Sequence, residues 1–321
     1  MQQALFDTAL LPLPPAATQP AAQRWWRLQG DARRSGRGVE PLLVTPRFVA
    51  RIDSRCCPVQ RTPLGPRSAL VVALRDDATL AAGHLVTLSP VAAAAEAGSW
   101  QAAWARAEHP AEQDPMDAAA WRRLAVLRSF VQPLTPAEVA RLPLHVLPPN
   151  RLRVLSPVQG LQVAATLALR GADRAVRLVQ LAALARDEDT RLALRVFVLT
   201  LLARCPADLD RLDPAAARQA LEDLWADALL QRRWARLALR LADAEAQSLL
   251  LRARRARLFG HGWRPLDPGF AVDGWDLPAA AAAPESCDVE QAAARRLAGP
   301  VLGPVARRHR VDAGAAATVG A

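Results

Sequence analysis

Residues 51–65 read RIDSRCCPVQRTPLG and set two of the chain's four cysteines, Cys56 and Cys57, beside a proline turn. Thiolates could hold zinc, but a structural zinc site takes four ligands, usually as two pairs with a short spacer in each. Adjacent cysteines project apart, no second pair follows, and in this region only His84 could add a ligand. A metal here would have to use Cys56, Cys57 and His84, and a fourth ligand is missing. A redox pair fares no better, because the C-x-x-C spacing is absent. The spacing favours one cysteine packed into a hairpin and the other near the surface. No cofactor is expected.

The remaining chemistry is sparse. The five histidines, His84, His109, His145, His261 and His309, are scattered, and no P-loop, G-x-G-x-x-G, H-E-x-x-H or G-x-S-x-G motif occurs. Asp76 and Asp77 read as a polar turn. His84 alone is a candidate general base. Arginine is the other reactive resource. LLLRARRARL (residues 249–258) gathers Arg252, Arg254, Arg255 and Arg257 within two helical turns, and RRW adds Arg232 and Arg233. At about 100° per residue the first four spread around the helix instead of forming one stripe. They are either a solvated helix end that complements the negative end of the dipole or a patch that contacts phosphates.

Overall charge fits both. Basic groups number 41 against 31 acidic ones, a net +10, and every base is arginine. Lysine and tyrosine are absent, Asn150 is the only asparagine and Ile52 the only isoleucine. That usage reads as a GC-rich bacterial coding sequence, yet the charge still draws polyanions at long range. Any nucleic-acid contact is expected to be weak and not sequence-specific. The opening MQQALFDTALLPLPPAATQP lacks a basic segment ahead of its apolar run, and LALRVFVLTLLA (192–203) falls short of the roughly 20 residues of a membrane span. A cytoplasmic protein without a membrane partner is expected.

These residues need elements to position them. The pattern predicts a mainly α protein: an irregular helical bundle with a small N-terminal β-hairpin or ββα-like module and disordered termini. Residues 1–40 read as a flexible arm and 265–321 as a largely disordered tail. Residues 41–110 read as the small module and 116–264 as the helical domain. Residues 47–53 read as a short strand or extended entry, 68–74 and 84–89 as strands, and an alanine-rich helix carries Trp100 and Trp104. Asp117, TPAE from Thr135 and SPVQ from Ser156 read as helix starts. The helix over 189–204 is apolar around most of its circumference, so it reads as the bundle centre. Beyond Leu230 the apolar face of the next helix shifts, which suggests a bend.

Residues 48–107 resemble the HNH, or His-Me finger, endonucleases. Cys57-Pro58-Val59 with Pro63-Leu64 resembles that family's hairpin, and Gly83-His84-Leu85-Val86 with Leu88-Ser89 resembles its strand. The resemblance implies a ββα fold and, in an intact member, metal-dependent cleavage of nucleic acid. Here Val71, Val72 and Ala73 stand where charged residues are needed, His84 replaces an asparagine, and alanines near Ala93 and Ala95 replace the terminal polar pair. The expectation is a non-catalytic binding protein that contacts nucleic acid through arginine patches. The alternatives are a metal-dependent HNH-type nuclease and a helical protein–protein scaffold.

Overall fold

Short polar side chains start most of the helices. In the computed structural model, which describes residues 19–65, 68–77, 79–95, 98–259, 263–266 and 269–272, Asp117 accepts a bond from the Ala120 backbone N–H and starts α5 (Ala118–Phe130). Thr135 and Glu138 form a reciprocal capping box on α6 (Pro136–Ala140). Ser156 caps α7 (Pro157–Leu167), Asp187 caps α9 (Glu188–Arg204) and Asp213 caps α10 (Pro214–Asp223). Each cap satisfies a backbone donor that a helix leaves open at its first turn. Between them lies α8 (Arg174–Ala183). The predicted bend is a break: a 3₁₀ turn at Leu224–Ala226 and a fresh cap at Asp227 separate α10 from α11 (Ala228–Ala238). The last helix is α12 (Asp243–Arg255). The protein is mainly α, and among the described residues no helix is long and apolar enough to cross a membrane.

Ahead of these helices come α1 (Gln19–Arg34), β1 (Gly38–Val39), α2 (Pro46–Arg51), β2 (Leu70–Ala73), β3 (Thr79–Leu80), β4 (Leu85–Leu88), α3 (Pro90–Ala94) and α4 (Trp100–Glu108). β1 pairs with β3 in parallel, and β2 with β4 in antiparallel register, Val72 opposite Val86 and Ala73 opposite Leu85. Residues directly opposite share a face. Val72, Val86 and Leu88 pack into the main core, whereas Val71, Ala73 and Leu85 pack under α1 and α2. The main core is continuous from Cys57 and Val59 through the helices to Val272. Residues 41–110 therefore share a core with the helical body instead of enclosing one of their own.

Four expectations change. Residues 19–34, predicted as part of a mobile arm, form α1, because Leu28 and Ala32 bury against Val44, Ile52 and Leu80. Trp25 Nε1 donates to the Val44 carbonyl at 2.8 Å, and Arg24 pairs with Asp53 at 2.6 Å. Residues 46–51 form α2, not a strand, since Thr45 caps a turn with Pro46 at its first position. α9 is not the bundle centre: Leu192 and Leu199 face solvent. That place belongs to α7, where Val158 to Thr166 are all buried. Gly160, Ala164 and Ala165 keep its surface low, so neighbours come close on every side. Finally, Phe270–Val272, predicted as disordered tail, form β6 against β5 (Trp263–Pro265), with Phe270 also exchanging backbone bonds with Val154. Leu266 and Gly269 are also described; the rest of the tail lies outside the described residues.

Candidate functional site

The cysteine hairpin is built by backbone pairing. Cys57 N–H donates to Thr62 O at 2.8 Å, Leu64 N–H to Arg55 O at 2.7 Å, and Arg61 takes the left-handed turn position at φ 58°. Cys57 is fully buried and its Sγ accepts a bond from Ser89 N–H at 3.4 Å; Cys56 is half-buried. Among the described residues neither thiol is in a disulfide, nor is that of Cys205; Cys287 lies outside the described residues. The turn is fastened to α10, since Arg61 reaches Glu222 at 3.2 Å and Asp223 at 2.7 Å. The hairpin thus serves as a clamp between chain segments. Among the described residues, no three His, Cys, Asp or Glu side chains gather as metal ligands, so Cys56, Cys57 and His84 are not brought together as a site.

His84 ends a 3₁₀ turn just before β4 and does have a partner. Its Nδ1 stands 3.3 Å from Asp77 Oδ2, while Arg75 Nε holds the same carboxylate at 3.0 Å. Burial, together with the Arg75 cation, holds the His84 pKa below its ordinary 6.5, and Asp77 opposes that only in part. His84 is neutral at neutral pH. With Nδ1 turned to a carboxylate, its other nitrogen carries the lone pair, which is the form a general base needs. By sequence Asp77 reads as a turn residue. The turn brings it back to His84 across β3, a juxtaposition no local spacing signals. Arg153 also lies beside this turn, with its N–H bonded to Gly83 O at 2.9 Å. The β2 positions Val71, Val72 and Ala73 are half-buried packing residues; Ala95 is buried in the main core and Ala93 packs partly buried against it.

The arginine run falls as the helical pitch requires. Ala253 is buried against the body, while Arg254, Arg255 and Arg257 are exposed. Arg252 is half-buried, and its Nε donates to Ser248 O at 3.3 Å. Burial and the Arg186 cation both lower the Arg252 pKa, so Arg186, exposed in the connection between α8 and α9, extends the positive region. Separated by 66 positions, Arg186 could not be added from sequence. Among the described residues, no carboxylate pairs with Arg254, Arg255 or Arg257, nor with Arg232 or Arg233 on α11. α11 packs on α9 and α6 and α12 on α7, so the two runs have different seats.

No family model, curated protein or solved structure matches this chain.

Proposed function

We propose that the protein is a non-catalytic binder of polyanions, nucleic acid first among them, which it holds through the arginines at the end of α12. One observation carries this reading. Among the described residues, Arg254, Arg255 and Arg257 stand exposed without an acidic partner, whereas Arg24, Arg61, Arg174, Arg204 and Arg218 are each tied to Asp or Glu. An unpaired guanidinium keeps its fork of donors open for a phosphate. Contacts of this kind position a protein without reading bases. A cytoplasmic setting goes with this reading, as does the net charge of +10.

The test replaces Arg252, Arg254, Arg255 and Arg257 by glutamine, which keeps the helix because glutamine is a good helix former. Each lost phosphate contact should flatten the slope of log affinity against log salt by about 0.7–0.9. A quadruple variant that binds like wild type removes the patch from the argument. If wild type binds no nucleic acid even at low salt, the helical scaffold is the better reading.

A second reading draws on the antiparallel β2–β4 pair followed by α3, together with the His84–Asp77 contact at 3.3 Å. They support kinship with HNH nucleases. The metal of that family does not fit, because no set of three ligands gathers among the described residues, and no step is drawn through it. Purified protein given magnesium, manganese or zinc should not cleave DNA or RNA. Metal-dependent cleavage that disappears in His84→Ala would replace the lead reading.

A further inference from the structure

Beside the exposed arginines lies a groove that charge attraction alone does not explain. The start of α7, the outer face of α12 and residues of and beside β5 and β6 (Trp263, Leu266, Gly269, Phe270) frame a cavity of about 90 Å³. Leu155, Leu250, Leu251, Trp263 and Leu266 line it, and Arg254 stands among them. Leu251 and Leu266 are 43% and 38% exposed, so apolar surface is left in water next to a cation that no described carboxylate neutralises. Trp263 is held in place: it stacks on Phe270 with centroids 4.6 Å apart and leans on Phe259 at 5.3 Å. The occupant this site suits is flat and apolar over one part and anionic beside it.

We infer that the arginine patch at the end of α12 binds single-stranded nucleic acid, with one unpaired base seated in the groove against Trp263 and its neighbouring phosphate at Arg254. The inference rests on the polyanion reading and narrows it to a substrate class. A duplex presents its phosphates outward but keeps its bases stacked and paired, so it could meet the arginines and not the groove. A single strand offers both at once. Aromatic side chains take bases this way without regard to sequence, because every base has a π-face. Gln247 lies on the same wall and offers an amide to the edge of a seated base. Arg255 and Arg257, both exposed, fan out around the helix end from Arg254 and supply further positive charge near the strand's adjoining phosphates.

The test uses the full chain and fluorescence anisotropy, with a labelled short oligothymidylate, the same backbone made of abasic residues, and a duplex of equal length. Base seating predicts that the single strand binds about tenfold more tightly than its abasic counterpart. Trp263→Ala should erase that difference and leave duplex binding unchanged, while Trp263→Phe should retain most of it. The comparison of natural and abasic strands on wild-type protein needs no variant, so a misfolded Trp263→Ala would not spoil it. Equal binding of natural strand, abasic strand and duplex overturns base seating and leaves the arginine patch standing. Failure to bind any of the three overturns both.

Discussion

The ring of Phe270 fills the space that a side chain on Gly160 would need. A Cβ at position 160 would stand 1.7 Å from Phe270 Cζ, far inside any allowed contact. The most buried helix therefore leaves a notch, and a strand from the far end of the described chain is keyed into it.

Gly160→Ala should lower stability for that reason, although alanine is the better helix former by about 1 kcal/mol. Overpacking of this kind costs about 1–3 kcal/mol, and the ring must move to admit the methyl group. In a Phe270→Ala background the clash is gone, and the same substitution should stabilise. Urea unfolding of the four proteins of this cycle reads the coupling. A Gly160→Ala protein more stable than wild type would mean that Phe270 is seated elsewhere.

Glu222 is 3% exposed, and it accepts bonds from Leu147 N–H at 2.9 Å, Arg218 Nε at 3.0 Å and Arg61 Nη2 at 3.2 Å. Glu222→Ala takes the carboxylate from beside a buried guanidinium and should cost about 3–5 kcal/mol. Arg61→Gln should cost much less, since Arg61 is partly exposed and Glu222 keeps its other two donors. Similar losses in the two variants would show that the hairpin clamp, and not the buried pair, bears the stability.

Burial and the cations of Arg122, Arg123 and Arg61 push the His145 pKa down from 6.5 to about 4. The unfolded chain thus takes up this proton first as pH falls. Its contribution to stability is complete above pH 6.5 and is lost on acidification towards about 4. The loss is of order 3 kcal/mol at 1.36 kcal/mol per unit. Denaturation at pH 7 and pH 4.5 should show a smaller drop for His145→Gln than for wild type. Parallel pH profiles for the two proteins would contradict it.

Helix starts were the legible part of the fold, because a cap is a local event: Asp117, Thr135 and Ser156 announce themselves within four residues. The β2–β4 pair was readable from two short apolar runs. α1 was not, since its buried stripe consists of Leu28, Trp25 and small alanines set among arginines, and its burial depends on Val44 and Leu80 far along the chain. α9 misled for the opposite reason. Leucine marks helical propensity as well as burial, and Leu192 and Leu199 spend theirs in water. At the sites, the exposed arginines of α12 could be read from pitch alone. The pairing of His84 with Asp77, and the setting of Trp263 beside Arg254, depend on chain reversals that leave no local signature.

The β2–β4 ribbon is a party wall, with side chains committed to a core on either side. Its second face, made of Val71, Ala73 and Leu85, packs with Leu28 and Ala32 of α1, Phe48 of α2, and Val44, Ile52 and Leu80. If α1 lifts away, what comes to light is a short, flat, apolar pair of strands with unpaired edges, the template on which chains join edge to edge. In that conditional sense α1 shields the ribbon, and what holds it among the described residues is the Arg24–Asp53 pair, the Trp25 indole on the Val44 carbonyl, and the buried side chains of Ala21, Leu28 and Ala32. Damage to those contacts would first be seen as loss of solubility, with the helical body still folded beneath it.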